Sequence, residues 1–549
     1  MSVDTLIVNL TRFGDLLQCQ PLIHDLHSSG HTVGLVCLDN FAAALPLLRH
    51  LDAAWPLPGA GLMADLDKCW QKAAARLLDF ARSIREQAAP RRVVNLTPTL
   101  PGRLLTRLLA PSPDAVLGFG MDAHGFGFSG GIWAAFLNGA TLQRLNAPFN
   151  LADMFRMVGA PAPGSKTGAG TCALQRPAGE SLAFADTLLA RPLRLPASPG
   201  ARIAGFVGLQ LGASEARRQW PTSSFAALGD RLWQEQALCP VLLGAAAESP
   251  LARDYAARAQ GPFVDAVGKT DIPQLAALLS RLRLLVTNDT GTMHLAAGLG
   301  LPCLAFFLAT AQPWDTGPYL PGCCCLEPAL PCHPCPYNSA CPHEQRCLEQ
   351  ISPQNAGDLA LGYLTQGNWQ AGLTPEICRK VRVWVTETDA QCFARVRSLS
   401  GHEQEDRSLW LGQQRLFWRQ ILDSLETAQA RPGEASEPLS ARMPVASDAL
   451  PYSAAFRETV APVLSQAAQL LDLLAEQGRL TGRSARAGQL FLRNCERLQS
   501  LLDACPPLSS LGHFWRVLCM ERGGRLDELL TLVTRLSGHV RRWAAAVAV

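Results

Sequence analysis

Leu284-Leu285-Val286-Thr287-Asn288-Asp289-Thr290-Gly291-Thr292-Met293-His294-Leu295-Ala296-Ala297 reads as a buried strand that turns into a helix. The apolar run at its start predicts the strand. Asp289 to Gly291 turns the chain, and small and apolar residues follow from Thr292. Such a junction leaves free backbone N–H groups at the helix start, which suit an anion. An ordinary turn with Asp289 as an N-cap is the other reading. Two further stretches repeat the pattern. Ala204 to Leu211 ends in Gly212-Ala213 and is followed by Glu215, Arg217, Arg218 and Trp220-Pro221. Val241 to Gly244 ends at Ala245-Ala246-Ala247-Glu248.

The N-terminal part has the same alternation. Strands are predicted at 5–10, 33–38, 93–96 and 116–119, with helices at 15–29 and 64–86. Strand and helix in turn give parallel sheets with right-handed crossovers. Residues 190–200 are rich in proline and predict a linker. A second α/β unit runs from 202 to about 366. From about 370 the pattern becomes amphipathic helix, clearest at 409–426, 454–476, 485–502 and 526–549. A polar segment at 430–447 interrupts it.

Length and composition bound the function. A chain of 549 residues implies several domains. With 48% hydrophobic residues it is globular, and a net charge of +3 makes no electrostatic case for nucleic acid. No eighteen-residue apolar run predicts a transmembrane helix. The start, MSVDTLIVNL, lacks a basic segment and goes straight into a strand, so no signal peptide is expected. A cytoplasmic location is expected, so the 18 cysteines are expected to be reduced or metal-bound.

Four ordered motifs carry a family resemblance. They are Arg12-Phe13-Gly14-Asp15 after the first strand, Arg217-Arg218-Gln219-Trp220-Pro221, Gly244 with Glu248, and Asn288-Asp289-Thr290-Gly291-Thr292-Met293-His294. Over residues 3 to 355 the chain resembles glycosyltransferase family 9, the ADP-heptose:lipopolysaccharide heptosyltransferases. The resemblance implies a GT-B fold: two Rossmann-like domains facing a cleft, here with a C-terminal α-helical extension. The implied division is an acceptor domain at 1–188, a nucleotide-sugar domain at 200–366 with a Cys-rich loop at 323–347, and the extension at 370–549. It also implies inverting transfer of heptose from ADP-heptose to a hydroxyl of lipopolysaccharide core. Peripheral contact at the inner membrane, no nucleic acid and no catalytic metal go with that reading.

Roles follow residue by residue. Asp15 matches the family's candidate general base, which takes the acceptor proton; its residue type and place equally suit a helix cap. Arg12 stands one residue closer to Gly14-Asp15 than in the family, and is expected to anchor acceptor or loop. Asp289, Thr290, Gly291 and the following amides would face the leaving diphosphate, where fixed dipoles lower the barrier. Arg218 stands where the family carries lysine, with Arg217 an alternative in register. Glu248 would hold the ribose hydroxyls or lie on the surface as a plain carboxylate. Lys269 would line the base pocket, and His294 would touch phosphate or be structural. The family's Phe-Gly-Pro-Thr is here Phe307-Leu308-Ala309-Thr310, which puts sugar specificity in question.

Cys332, Cys335, Cys341 and Cys347 fall within sixteen residues of a proline-rich loop, just after Cys323-Cys324-Cys325. Four thiols so spaced read as a closed, structural zinc or iron site; free reduced thiols are the other reading. Protein-directed relatives in the family carry such iron, which makes a protein-directed heptosyltransferase the second reading of function. A non-catalytic scaffold acting through its helical tail is a third, and retention of Asp15 and of the Asp289–His294 motif argues against it.

Overall fold

The computed structural model describes residues 3–142, 144–159, 172–195, 202–337, 339–429, 451–522 and 526–548. Short apolar runs in the first part assemble a six-stranded sheet: β1 (Thr5–Asn9), β2 (Val33–Leu38), β3 (Ala53–Leu57), β4 (Arg92–Asn95), β5 (Val116–Met121) and β6 (Gly127–Gly130). The order is β3-β2-β1-β4-β5-β6. Its strands run parallel except β6, which returns antiparallel beside β5. Parallel strands are covered on both faces by crossover helices, so β1 is buried along its whole length.

The second sheet contains β7 (Gly205–Gln210), β8 (Leu238–Leu243), β9 (Val264–Asp265), β10 (Leu284–Asn288), β11 (Cys303–Phe306), β12 (Cys324–Pro328), β13 (Val381–Thr388) and β14 (Ala394–Ser398). Their order is β14-β13-β12-β11-β10-β7-β8-β9. Here β7 to β12 are parallel, and β13 and β14 add an antiparallel hairpin. Two Rossmann-like sheets followed by helices are the GT-B arrangement with its extension.

Several expectations shift. The sheet does not end at 366, because the hairpin at 381–398 belongs to it; only residues from Asp406 are purely helical among those described. The helix expected at 15–29 is two, Phe13–Leu17 and Gln20–Ser28, with Pro21 opening the second. The helix at 64–86 likewise divides into Gly59–Lys68 and Trp70–Ala88, because Cys69 is extended. Ser509–Arg522 is a further helix. Of the linker, Leu193 pairs with Phe263, while 196–200 lie outside the described residues, as do 430–447.

The helical part rests on both sheets. Arg415, on helix Asp406–Gln429, donates to Pro148 O at 3.0 Å and Ala394 O at 2.9 Å. Trp418 packs on Phe136 of the first domain, with ring centres 4.7 Å apart. Arg407 pairs with the buried Glu327 of β12 at 3.3 Å and donates to Gln312 Oε1 at 2.6 Å. Burial works against the charge on Glu327, yet Arg407, His333, Arg382 and the Trp384 N–H together hold its carboxyl below the ordinary value. The hairpin also grips the first domain: Asp153 accepts from the Ala394 N–H at 2.8 Å, and Arg156 donates to Cys392 O at 2.8 Å.

Candidate active site

In open parallel sheets ligands lie beyond the carboxyl ends of the strands, where the winding reverses. Both sheets reverse at their first strand. β1 lies between β2 and β4, and β7 between β10 and β8. The loops after these strands carry the sequence motifs, and the structure sets them face to face. A Cβ on Gly14 would meet His294 Cδ2 at 2.9 Å and Gly291 Cα at 3.4 Å; one on Gly291 would meet Phe13 Cδ1 at 2.5 Å. Glycine at both positions is what lets two backbones 277 residues apart touch.

Asp15 therefore sits beside the start of helix Gly291–Gly298. Its side chain is half-buried and accepts one long bond, 3.4 Å, from the Arg12 N–H. The cap contact exists but is weak, and the carboxylate keeps lone pairs for a ligand. Arg12 itself is exposed. Gln18, one turn after Gly14, comes within 3.5 Å of His294 Nε2. Burial holds His294 below the ordinary histidine value, against the pull of Asp289 and Asp15, so the ring is neutral.

The residues expected on the donor side converge in part. Asn288, not assigned a role from sequence, ties the loops together. Its Nδ2 donates to Leu211 O at 3.0 Å and Gly212 O at 3.2 Å, and its Oδ1 accepts from the Trp220 N–H at 2.8 Å. This fixes the Trp-Pro segment, with Trp220 stacked on Phe306 at 4.3 Å. Arg218 is carried inward and pairs with Asp289, both side chains being 7% exposed. Arg217 goes elsewhere, to Glu215 at 2.8 Å and Ser339 O at 2.9 Å. Thr316 reaches Asp289 at 3.5 Å and is bonded by Arg144 of the first domain at 3.2 Å. Sequence reading had no signal for Arg144 and Thr316, because only the fold brings them there.

Glu248 lies over the glycines that end β7 and β8. Its Oε2 accepts from the Ala245 N–H at 2.8 Å, and a Cβ on Gly212 would overlap its Oε1. Lys269 is exposed and held by Asp265 at 2.7 Å, although the Gly268 N–H joins its loop to Gly244 O at 2.9 Å. Among the described residues, Arg218 Nε, Thr290 Oγ1 and His294 Nδ1 are buried with no hydrogen-bond partner. Three orphaned polar atoms around one helix start mark a place that a polyanion can complete.

Residues 158–342 match the model of glycosyltransferase family 9 (heptosyltransferase). Over that stretch the chain is similar to glycosyltransferase family 9. Over 163 residues it is 31% identical to lipopolysaccharide heptosyltransferase 1 of Pseudomonas aeruginosa, a match covering 30% of this chain and 44% of that protein. The chain thus spans under half the length of this curated relative. The glycosyl transferase family 9 structure from Veillonella parvula shares its fold, with a TM-score of 0.50 at 19% identity, over 67% of this chain and 99% of that one. The E. coli ADP-heptose lps heptosyltransferase II structure has a TM-score of 0.45 at 17% identity, over 66% and 99%. The family 9 match includes Arg218, Glu248, Lys269 and the Asp289–His294 motif; Asp15 precedes it.

Beside the family 9 motifs stands the cysteine loop. Its Cys335 N–H donates to Ala309 O at 2.7 Å. Ala309 has φ +52, a conformation that favours glycine, and it stands in the Phe307–Thr310 segment that departs from the family pattern. Burial raises the Cys335 thiol, and the sulfurs of Cys347, Cys332 and Cys341 raise it further, so the four are electrostatic neighbours. The donor set suits a thiolate-bound ion. Among the described residues, no three or more His, Cys, Asp or Glu are already arranged around a common point.

Proposed function

We propose that this protein transfers a heptose from ADP-heptose to a hydroxyl acceptor with inversion. The acceptor in this reading is lipopolysaccharide core. The observation that carries it is the packing of the Gly14–Asp15 loop onto the Thr290–His294 helix start, with its orphaned polar atoms. Asp15 takes the acceptor proton as the hydroxyl attacks the anomeric carbon. The amides at Gly291 and beyond, with Arg218, receive the departing diphosphate. Neutral His294 offers a hydrogen bond without adding charge. Thermal protection by a panel of nucleotide sugars tests the donor: ADP-heptose should raise the melting temperature more than UDP- or GDP-sugars, and equal shifts would remove the ADP assignment.

Glu248 gives a second check. A carboxylate accepting from both ribose hydroxyls contributes on the order of 1.5 kcal/mol. Glu248→Gln should therefore weaken ADP about tenfold in calorimetric titration, with no change in melting temperature. Unchanged affinity would return Glu248 to its cap on Ala245.

A protein-directed heptosyltransferase is the second reading, favoured by the four neighbouring thiols. A structural zinc or iron on Cys332, Cys335, Cys341 and Cys347 would order their loop as folding energy. About one equivalent of metal per chain is expected after purification without chelator, as a closed four-thiolate site holds. Cys335→Ser should lower metal content and melting temperature together. Elemental analysis of reduced, metal-replete protein decides it, and no bound metal would leave free thiols. Among the described residues no helix is long and apolar enough to cross a membrane.

A further inference from the structure

The helical tail holds two cysteines that neither the candidate site nor the cysteine loop uses. Cys495 is on helix Ala485–Asp503 and Cys519 on helix Ser509–Arg522. The short turn between these helices folds them back on each other, so they run antiparallel. Where they cross, a Cβ on Gly512 would meet Leu502 Cβ at 3.1 Å, and Gln499 Nε2 donates to Gly512 O at 3.1 Å. A step of seven residues is about two helical turns and returns to the same face. Seven before Leu502 is Cys495, and seven after Gly512 is Cys519. The register of the hairpin therefore sets the two side chains opposite each other, about 10 Å along from the crossing.

The two thiols meet there, with the Cys519 S–H donating to Cys495. That hydrogen bond lowers the Cys495 thiol from its ordinary value, against burial and the charge of Glu496, and it raises Cys519. One sulfur is readied as a thiolate while its neighbour keeps the proton, as in an attacking and a resolving thiol. Both are half-buried and open to solvent at one side. Leu492, one turn before Cys495, is 66% exposed, and Met520, next to Cys519, is 79% exposed. Cys303 and Cys323 also share a hydrogen bond, but both are fully buried in the core, closed to a reagent.

Helix Ser509–Arg522 is also part of what seats the tail on the first domain. Asn146 donates to Pro506 O at 2.8 Å and Ser509 Oγ at 2.9 Å, and Ser129 donates to Glu521 at 2.8 Å. A covalent bond at Cys519 would fasten helix Ala485–Asp503 to that seat.

We propose that Cys495 and Cys519 form a reversible dithiol–disulfide site that reacts with a small-molecule disulfide such as oxidised glutathione and clamps the two helices together. The Cys495 thiolate attacks one sulfur of that disulfide, breaking its S–S bond and expelling one thiolate. Cys519 then gives its proton to solvent and attacks Cys495 Sγ, expelling the second thiolate. Two protein thiols are oxidised to one disulfide, and the small molecule is reduced to two thiols, which take up the two protons released. Excess reduced glutathione runs the same steps backward.

Treating the full chain with oxidised glutathione, blocking the remaining thiols and mapping peptides tests this. A Cys495–Cys519 disulfide is expected, separate from any change in the cysteine loop, and exposed Cys69 reports that the reagent was active. Cys519→Ser should stop at a mixed disulfide on Cys495, whereas Cys495→Ser should leave Cys519 unmodified. Amide exchange over 485–522 should slow about tenfold or more in the oxidised parent, as a cross-link that closes a loop would cause. Absence of the Cys495–Cys519 bond in parent protein whose Cys69 is modified overturns the proposal, whether or not a variant folds. So does a dimer linked through either cysteine in its place. Equal modification of the two variants overturns the role of Cys495 as the attacking thiol, and unchanged exchange overturns the clamp.

Discussion

Arg218→Ala is expected to destabilise the protein by about 3–5 kcal/mol, the usual result of removing one partner from a buried ion pair. The pair is Arg218 with Asp289, and neither side chain has solvent to fall back on. Asp289 would keep Thr316, at 3.5 Å, and the more distant charge of Arg144. Denaturant unfolding measures the loss. Arg218→Ala with Asp289→Asn should recover part of it, since the orphaned charge is then gone. Arg217→Ala should cost little, because its partner Glu215 is at the surface. ADP affinity should drop with Arg218→Ala by more than with Arg217→Ala. Wild-type stability in Arg218→Ala would mean that the pair does not form in solution.

Asp15→Asn is expected to slow transfer by about a hundredfold or more, as loss of a general base does. Asparagine has the size of aspartate and can still accept from the Arg12 N–H, so the helix start survives. It cannot take a proton. ADP affinity and melting temperature should match the parent, which separates a chemical defect from a structural one. A transfer rate equal to the parent's would reduce Asp15 to the cap on Arg12.

Much of the strand placement was legible because most strands are short apolar runs, some of them closed by a glycine-containing turn, as after Leu284–Asn288. Thr5–Asn9, Val33–Leu38 and Leu284–Asn288 lie where their residue types place them. The hairpin was written in the sequence too, in the period-two run Val381, Val383, Val385, but the helical pattern that follows obscured it. The breaks at Cys19 and Cys69 depend on local dihedrals that periodicity does not report. In the site, the loops were readable and the pairings between them were not. Arg218 and Asp289 were each read as a ligand for phosphate, whereas the fold joins them to one another. Gly14 and Gly291 each look like turn residues; that they touch follows only from the two sheets being brought edge to edge.

The bonds from Arg415 to Pro148 and Ala394 have a mechanical meaning. The first carbonyl belongs to one sheet's domain and the second to the hairpin of the other. Both bonds leave one guanidinium nitrogen in the middle of helix Asp406–Gln429, so the helix is a strut tied to the two parts at a single residue. A rigid rotation of one sheet away from the other stretches those bonds, together with Asp153 to Ala394 and Arg156 to Cys392. Rocking that admits a substrate or releases a product is thus geared to the tail: the two halves swing only as far as the strut bends or lets go. Whatever binds the tail has leverage on the aperture, although it touches no reacting atom.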